Sequence, residues 1–402
     1  MPQLQTTHDL PTTADLVIVG GGIVGLATAF FAASAGLRAV VLESRPALST
    51  LTTPASTGAF RLQFDNQEEL ALVRETVAIF ENFADATGLP GYDLDIHKQG
   101  YLFCTTNPAT IQRQKALLDR QHAWGLTDVE WLSGEEARAR FPHLSHEVVG
   151  ARWRAGDGWL DVRKLAVGYA LAAQVRAGAT FVVNTEVTGF DHADGALRGV
   201  QTMRGAISTP VAVIAAGPFS GVVGAMAGID IPLTLVRRQK MVMPEVAEVP
   251  PGAPMTIDED TGSHWRPALR GAFCLRTAPG VPPGPPLYDV PISADFAFGL
   301  LDPASPYALA RISPFWRDVW QRGTAHWSLQ AGQYDYSPDH RPFLGHTSVP
   351  GLYLNCGYSG HGIMTSGGAS RIVVDTITGK LHAEENPFRL DRQFAVRELD
   401  VL

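Results

Sequence analysis

DLVIVGGGIVGLATAFFAASAGLRAVVLESR, residues 15–45, decides the fold. Leu16, Val17, Ile18 and Val19 form an apolar run of the length of a buried strand. They lead directly into Gly20-Gly21-Gly22-Ile23-Val24-Gly25, a G-x-G-x-x-G. Residues 26–35 read as an Ala-rich helix closed by Gly36, and residues 39–42 as the next strand, with Glu43 at its end. Gly20 permits the tight turn, Gly22 lets a pyrophosphate approach the backbone, and Gly25 lets helix and strand pack closely. The helix N-terminus offers free N–H groups and a positive dipole end to phosphates. Glu43 stands at the fingerprint's spacing to accept from a ribose 2′-OH. Strand, glycine turn, helix and acid in this order identify a dinucleotide site; whether NAD(P) or FAD binds stays open at this point.

Outward from this unit, 402 residues allow about two domains. At 45% hydrophobic and 18% charged residues, the chain can bury a sizeable core. A net charge of −8 argues against nucleic acid as a partner and gives no attraction to anionic lipid. Cys104, Cys274 and Cys356 are far apart with no C-x-x-C, so neither a zinc site, nor any other metal, nor a disulfide framework is expected. No apolar stretch is long enough to span a bilayer, and no Lys or Arg precedes Arg38 to make a signal-peptide n-region. A cytoplasmic protein is expected, with the polar, Thr-rich segment 1–14 frayed.

The loop 47–58, rich in Ser, Thr and Pro, reads as irregular backbone able to wrap a ligand. Helices are expected over 68–83, 109–125 and 162–177, and a further one from Ser133 to before Pro142. Strands are expected over 100–104, 180–184 and 211–216, with a hairpin turn at Asp194-Gly195. The fully apolar strand at 211–216 ends at Gly217-Pro218-Phe219-Ser220, a second sharp exit. Residues 236–330 differ in character: Pro and Gly crowd 250–254 and 279–291, and Trp and Phe are frequent. This segment reads as a separate, sheet-based domain. Beyond it, strand character at 351–355 runs into the turn Gly357-Tyr358-Ser359-Gly360-His361-Gly362 and a helix over 366–378.

Four stretches together resemble the FAD-dependent D-amino-acid oxidase superfamily, in particular its sarcosine oxidase and dimethylglycine dehydrogenase branch. They are the N-terminal fingerprint with Glu43-Ser44-Arg45, Gly156-Asp157-Gly158 with Asp161, Ala215 to Ser220, and YDYSPDHRPFLG at 334–345 with GYSGHG at 357–362. The resemblance implies an α/β fold: a Rossmann-type FAD-binding domain (14–84, 151–235 and 331–395) interleaved with an α+β, mixed-sheet substrate domain (85–150 and 236–330). It implies that the adenine half of FAD sits on the first strand–helix unit and the isoalloxazine at the domain interface. The implied cofactor contacts are Gly20, Gly22, Ile23, Val24, Gly25, Glu43, Ser44, Arg45, Ser56, Thr57, Val187, Ala216, Gly217, Gly357, Tyr358, Ser359, Gly360, His361, Gly362 and Ile363. The turn 357–362 opens a helix whose N–H groups and dipole can face the flavin N1–C2=O edge.

In the pocket, Arg61 matches an arginine near the flavin, Tyr334 a pocket tyrosine, and Trp265 with Arg266 a pocket wall. The sequence departs from the sarcosine-type pattern in three respects. The second arginine and the lysine that hold the substrate carboxylate are here Phe64 and Met364. A carboxylate buried without a partner costs several kcal/mol, so a bulkier or more apolar substrate is expected, or an anion held by Arg266 or Arg276. The lysine linked to oxygen reactivity is here Arg276, which leaves oxidase against dehydrogenase open. The tethering cysteine falls near Gly332 with no thiol close by, so FAD is expected to be non-covalent.

The reaction the resemblance implies is oxidation of a C–N bond of an amine or amino-acid-type substrate, by hydride transfer to flavin N5, giving an imine that hydrolyses. Electrons then pass to oxygen or a carrier. Oxidation of a 2-hydroxy acid and a non-catalytic flavoprotein subunit are the alternatives.

Overall fold

The computed structural model describes residues 2–277, 280–323 and 326–395; of the Pro/Gly-rich stretch 279–291, Pro279 lies outside them. Two large sheets organise these residues. The first has six strands in the order Phe343–His346, Leu352–Cys356, Ala212–Ile214, Leu16–Val19, Ala39–Leu42, Thr180–Val182. All neighbours run parallel except the antiparallel edge strand Phe343–His346.

Its four inner strands are short and buried along their whole length because both faces are covered. Leu16, Ile18 and Val41 point into the helix side, which holds Ile23–Ser34, Val162–Ala177 and Gly362–Ile377. Val17, Val19, Val40 and Leu42 point the other way, onto a three-stranded sheet built from Val187–Ala193, Ala196–Thr202 and Gly205–Ser208. Asp194 and Gly195, both at positive φ (53° and 76°), make the hairpin between the first two of these.

The second sheet has eight strands in the order Ser328–Tyr336, Thr234–Met243, Gly271–Arg276, Ser263–Ala268, Met255–Asp258, Tyr101–Thr105, Gly150–Arg154, Glu130–Ser133. It is mixed: Met255–Asp258 pairs parallel with Tyr101–Thr105, and every other pairing is antiparallel. One face is closed by the helices Ala294–Leu301 and Phe315–Arg322, with Met241, Met243, Trp265, Cys274 and Trp316 in the core between them. The opposite face meets the first unit through Tyr101, Phe103, Met255 and Ile257 against Ala59 and Trp159. The α/β class with mixed sheets is as expected.

Local boundaries shift for identifiable reasons. The first helix starts at Ile23, inside the fingerprint, because Gly22 is its N-cap. The helix expected over 68–83 is two helices, Gln67–Glu81 and Phe83–Thr87, broken at Asn82. Ser133 and Glu136 form a reciprocal capping box that opens Gly134–Arg140. Residues 2–14 are not frayed: Thr7 bridges to Val182 and Thr13 to Ser208, which ties the segment across both edges of the first unit. Met1 lies outside the described residues.

Candidate functional site

A long cavity begins at the first glycine turn and ends at the last. Its wall includes Gly20, Gly22, Ile23, Val24, Glu43, Ser44, Arg45, Thr53, Ser56, Val187, Ala216, Gly217, Tyr334, Tyr358, Gly360, Gly362 and Ile363. Most of the expected cofactor contacts therefore share one cavity, although they come from six separate stretches of chain.

The three fingerprint glycines have distinct roles. Gly20 sits at φ 113°, and a Cβ there would lie 2.4 Å from the Ala215 carbonyl oxygen. A Cβ on Gly25 would lie 2.0 Å from the Gly20 oxygen, so the helix can cross the strand end only over glycine. Gly22 is different: its only neighbour would be Thr53 Oγ1 at 3.7 Å, which leaves the backbone approachable from the cavity. Thr53 Oγ1 also accepts from the Ile23 amide at 3.2 Å. Glu43 is fixed from two sides, Oε2 accepting from Gly21 N and Oε1 from Arg45 N, both at 2.8 Å. Its remaining lone pairs can take a ribose hydroxyl.

At the far end, Gly360 (φ 96°) lies under the Tyr334 ring; a Cβ there would be 2.3 Å from Tyr334 Cε2. Burial pushes the Tyr334 phenol up to about 12, with Tyr336 adding to the shift and Arg238 opposing it. Asp335 lies in the same wall and accepts from Gly357 N at 2.8 Å, shaping the turn. Burial raises its carboxyl to about 6, although the Gly357 and Tyr358 amides pull the other way. Ser359 Oγ is buried without a hydrogen-bond partner.

Behind this turn runs a buried polar line that does not belong to the cavity wall. His361 Nδ1 lies 3.2 Å from Glu69 Oε1, and His361 Nε2 lies 3.4 Å from Arg61 NH2. An arginine can only donate, so Nε2 is the acceptor and Nδ1–H donates to Glu69. Burial would raise the Glu69 carboxyl, but His361, Asn66 and Arg341 outweigh it and hold it below the usual range. Arg61 donates to the Gln63 carbonyl at 2.8 Å and lies over the Phe64 ring at 4.5 Å. Burial depresses its guanidinium, and Tyr101, Asp157 and Glu69 oppose that. Phe64, where the resemblance expects a second arginine, is packed edge-on to His361 at 5.0 Å. Met364 is in the helix-side core.

Asp157 of the Gly-Asp-Gly turn is structural. It accepts from Leu62 N and Gln63 Nε2 at 2.9 Å and from Arg154 NH1 at 2.6 Å, which pins the Arg61 segment. Asp161 caps the helix Val162–Ala177 by accepting from Arg163 N and Lys164 N.

Strand parity separates the remaining expected residues. Trp265 pairs with Thr256 and Cys274, which puts it on the helix-covered face; its Nε1 donates to Ser313 Oγ at 3.0 Å and it is wholly buried. It lines no cavity. Arg276 is on that face too, 3.1 Å above the Tyr307 ring centroid and away from the cavity. Their neighbours His264, Arg266 and Leu275 take the opposite face, and Leu275 lines the cavity. Thr57 lines a second cleft beside the first, while Gly25, Gly357, Ser359 and His361 support the wall from behind. Arg238, Asp335 and Tyr288 line the cavity unforeseen. Alternation would not have shown the first, since Arg238 and its neighbour Gln239 both line the cavity. Tyr288 arrives from the Pro-rich stretch, stacked on Phe219 at 4.3 Å, with its carbonyl accepting from Arg45 NH1 at 2.7 Å.

These features fit FAD: an elongated cavity, an approachable glycine at a helix start, a fixed acid, and a second glycine-lined helix start at the opposite end. Cys104, Cys274 and Cys356 are all buried and unpaired, and none is in the cavity wall. Among the described residues no helix is long and apolar enough to cross a membrane, and no group of His, Cys, Asp and Glu could hold a metal ion.

A family model described as "FAD dependent oxidoreductase" (DAO) matches residues 15–376. Human mitochondrial sarcosine dehydrogenase is 28% identical over 374 residues, covering 91% of this chain and 40% of that protein. Mouse mitochondrial dimethylglycine dehydrogenase is 26% identical over 395 residues, covering 94% and 43%. The chain thus spans less than half the length of these relatives. Among solved structures, L-proline dehydrogenase from P. horikoshii superposes with a TM-score of 0.81 at 25% identity, covering 95% of this chain and 98% of that one.

Proposed function

The chain belongs to the DAO family of FAD-dependent oxidoreductases, and from that premise we propose that it oxidises the C–N bond of an amine or amino-acid-type substrate. The observation that carries this reading is the single cavity joining the Gly20–Gly25 turn to Tyr334 and the Gly360–Ile363 turn. FAD bound there supplies the hydride acceptor, and the oxidised substrate leaves as an imine that water hydrolyses. The chain's own part is position and electrostatics. Gly22 and the first turn of Ile23–Ser34 receive the pyrophosphate, and Glu43 the ribose. The first turn of Gly362–Ile377 presents amide N–H groups and the positive end of a helix dipole at the cavity's other end. Tyr334 stays a neutral phenol across the working pH range and can donate one hydrogen bond.

Glu69, His361 and Arg61 hold the Gly357–Gly362 turn from behind and are positioning residues in this reading. No protein base is required, because the amine binds in its neutral form. Non-covalent FAD is supported by a cavity wall without cysteine or histidine among the described residues. Electrons leave to oxygen or to a carrier. A cytoplasmic location is supported by three unpaired, buried thiols. We divide the chain into a FAD-binding unit around the six-stranded sheet and a substrate unit around the eight-stranded one.

The test is an anaerobic screen of amines and 2-hydroxy acids against the holoenzyme, watching the oxidised-flavin band. Bleaching by a secondary or tertiary amine and not by hydroxy acids is expected. No bleaching by any amine would refute the proposal.

A further inference from the structure

A second cleft, of 740 Å³, opens beside the cofactor cavity. Its floor is the inner face of the eight-stranded sheet, and the segment 54–57 divides it from the cofactor cavity; Ser56 lines both. Two buried cations stand in this floor, Lys240 and Arg266. Lys240 Nζ donates to the carbonyls of Pro54 at 2.9 Å and Ser56 at 2.7 Å. Arg266 donates from Nε to the Thr57 carbonyl at 3.0 Å and from NH1 to the Pro267 carbonyl at 2.8 Å. Phe273 is shared between them, 4.7 Å from Lys240 Nζ and 4.5 Å from the Arg266 guanidinium carbon.

Neither cation is ion-paired to a carboxylate among the described residues. Two acids lie on the rim of the cleft, and both are engaged. Asp161 caps the helix Val162–Ala177, and Asp95 lies 3.4 Å from His97. Arg163 adds positive charge to the same wall, whereas Arg270 is paired with Glu245 at 3.0 Å. Burial, then Arg266 and Arg163, push the Lys240 ammonium down to about 7. Burial pushes Arg266 down to about 9, against Tyr101, Asp161 and Asp95. Two like charges held only by carbonyls around one opening favour an anion there, and buried cations of this kind gain most from a hydrogen-bonded carboxylate. The rest of the lining mixes apolar side chains, Trp159, Val242, Val249 and Phe273 among them, with neutral polar ones such as Gln99 and Gln330.

We propose that this cleft binds the anionic end of the substrate: a carboxylate at Lys240 and Arg266, separated from the oxidised C–N bond by an apolar spacer lying on Phe273 and Trp159. The proposal rests on the amine-oxidation reading and explains the two missing cations. With Phe64 and Met364 where a carboxylate next to the reacting carbon would need partners, the substrate's charge is held further away, behind the 54–57 segment.

The test separates the two readings. Holoenzyme is titrated by calorimetry with hexanoate and with hexanamide. Hexanoate is expected to bind at least tenfold more tightly. Lys240→Met should remove that preference. Leu269→Glu, at an exposed rim position where a carboxylate is simply added, should weaken hexanoate about threefold and leave hexanamide unchanged. Equal affinity for the two ligands in the unaltered enzyme overturns the proposal, as does a preference that survives both substitutions. Under anaerobic conditions N-methyl-6-aminohexanoate should bleach the flavin at least tenfold faster than sarcosine; equal rates would also overturn it. Hexanoate binding as described, with no amine bleaching the flavin, would instead remove the amine-oxidation reading and leave the anion site standing.

Discussion

Gly360→Ala probes the contact that closes the cofactor cavity at its C-terminal end. The substitution adds a methyl at a residue whose φ is 96° and whose Cβ would be 2.3, 2.7 and 2.9 Å from Tyr334 Cε2, Cδ2 and Cζ. Two separate costs follow. A backbone conformation that L-residues avoid costs about 1–2 kcal/mol. Forcing the half-buried Tyr334 ring aside costs about 1–3 kcal/mol, typical of overpacking. The sum is about 2–5 kcal/mol, read by urea denaturation of the holoenzyme with tryptophan fluorescence and flavin release followed together. The second cost requires the ring, so a double-mutant cycle isolates it. In a Tyr334→Ala background, Gly360→Ala should cost only the backbone part, about 1–2 kcal/mol. If Gly360→Ala cost the same in both backgrounds, the claim that glycine is needed there to admit the tyrosine ring would be wrong.

Two further predictions concern the same cavity. The Asp335 carboxyl, raised to about 6 against 3.8, binds its proton more tightly in the folded protein, so its own contribution to stability is greatest below about pH 4 and is lost as pH rises to about 6. The loss is at most about 3 kcal/mol, and Asp335→Asn, whose amide oxygen can still accept from Gly357 N, should flatten that slope in pH-dependent denaturation. Arg45→Ala removes the bond to the Tyr288 carbonyl and loosens the strap of residues 285–288, whose Tyr288 lines the cavity and which Gln333 also holds. Loss of one hydrogen bond of about 1 kcal/mol should weaken FAD roughly fivefold in equilibrium dialysis; unchanged affinity would mean that the strap does not retain the cofactor.

The cofactor half of the site was legible because its signals are local. Gly20, Gly22, Gly25 and Glu43 lie within one strand–helix–strand unit, and their spacing alone carries the geometry found in the cavity. The GYSGHG turn was legible for the same reason. The substrate half was not. Trp265 and Arg276 differ from Arg266 and Leu275 by one position each, and along a strand one position reverses the face. Periodicity cannot say which face of a two-sided sheet meets the cofactor when both faces are buried, as they are along Ser263–Ala268, where Trp265 and Arg266 on opposite faces are both buried. Lys240 gave no signal at all. It follows Arg237, Arg238 and Gln239 in one strand with nothing to single it out, and its carbonyl partners lie 184 and 186 residues earlier in the chain.

Sequence by itself determined the dinucleotide unit, the family likeness and the absence of the usual carboxylate cations, because each depends on residue identity at short or motif-fixed spacing. Tertiary structure decided which side of the eight-stranded sheet faces the cavity, that His361 turns inward to Glu69 and Arg61, and that Lys240 and Arg266 meet around one cleft. Those outcomes depend on long-range packing, in which distant strands and loops choose each other's faces through burial, and no short window of sequence contains that choice.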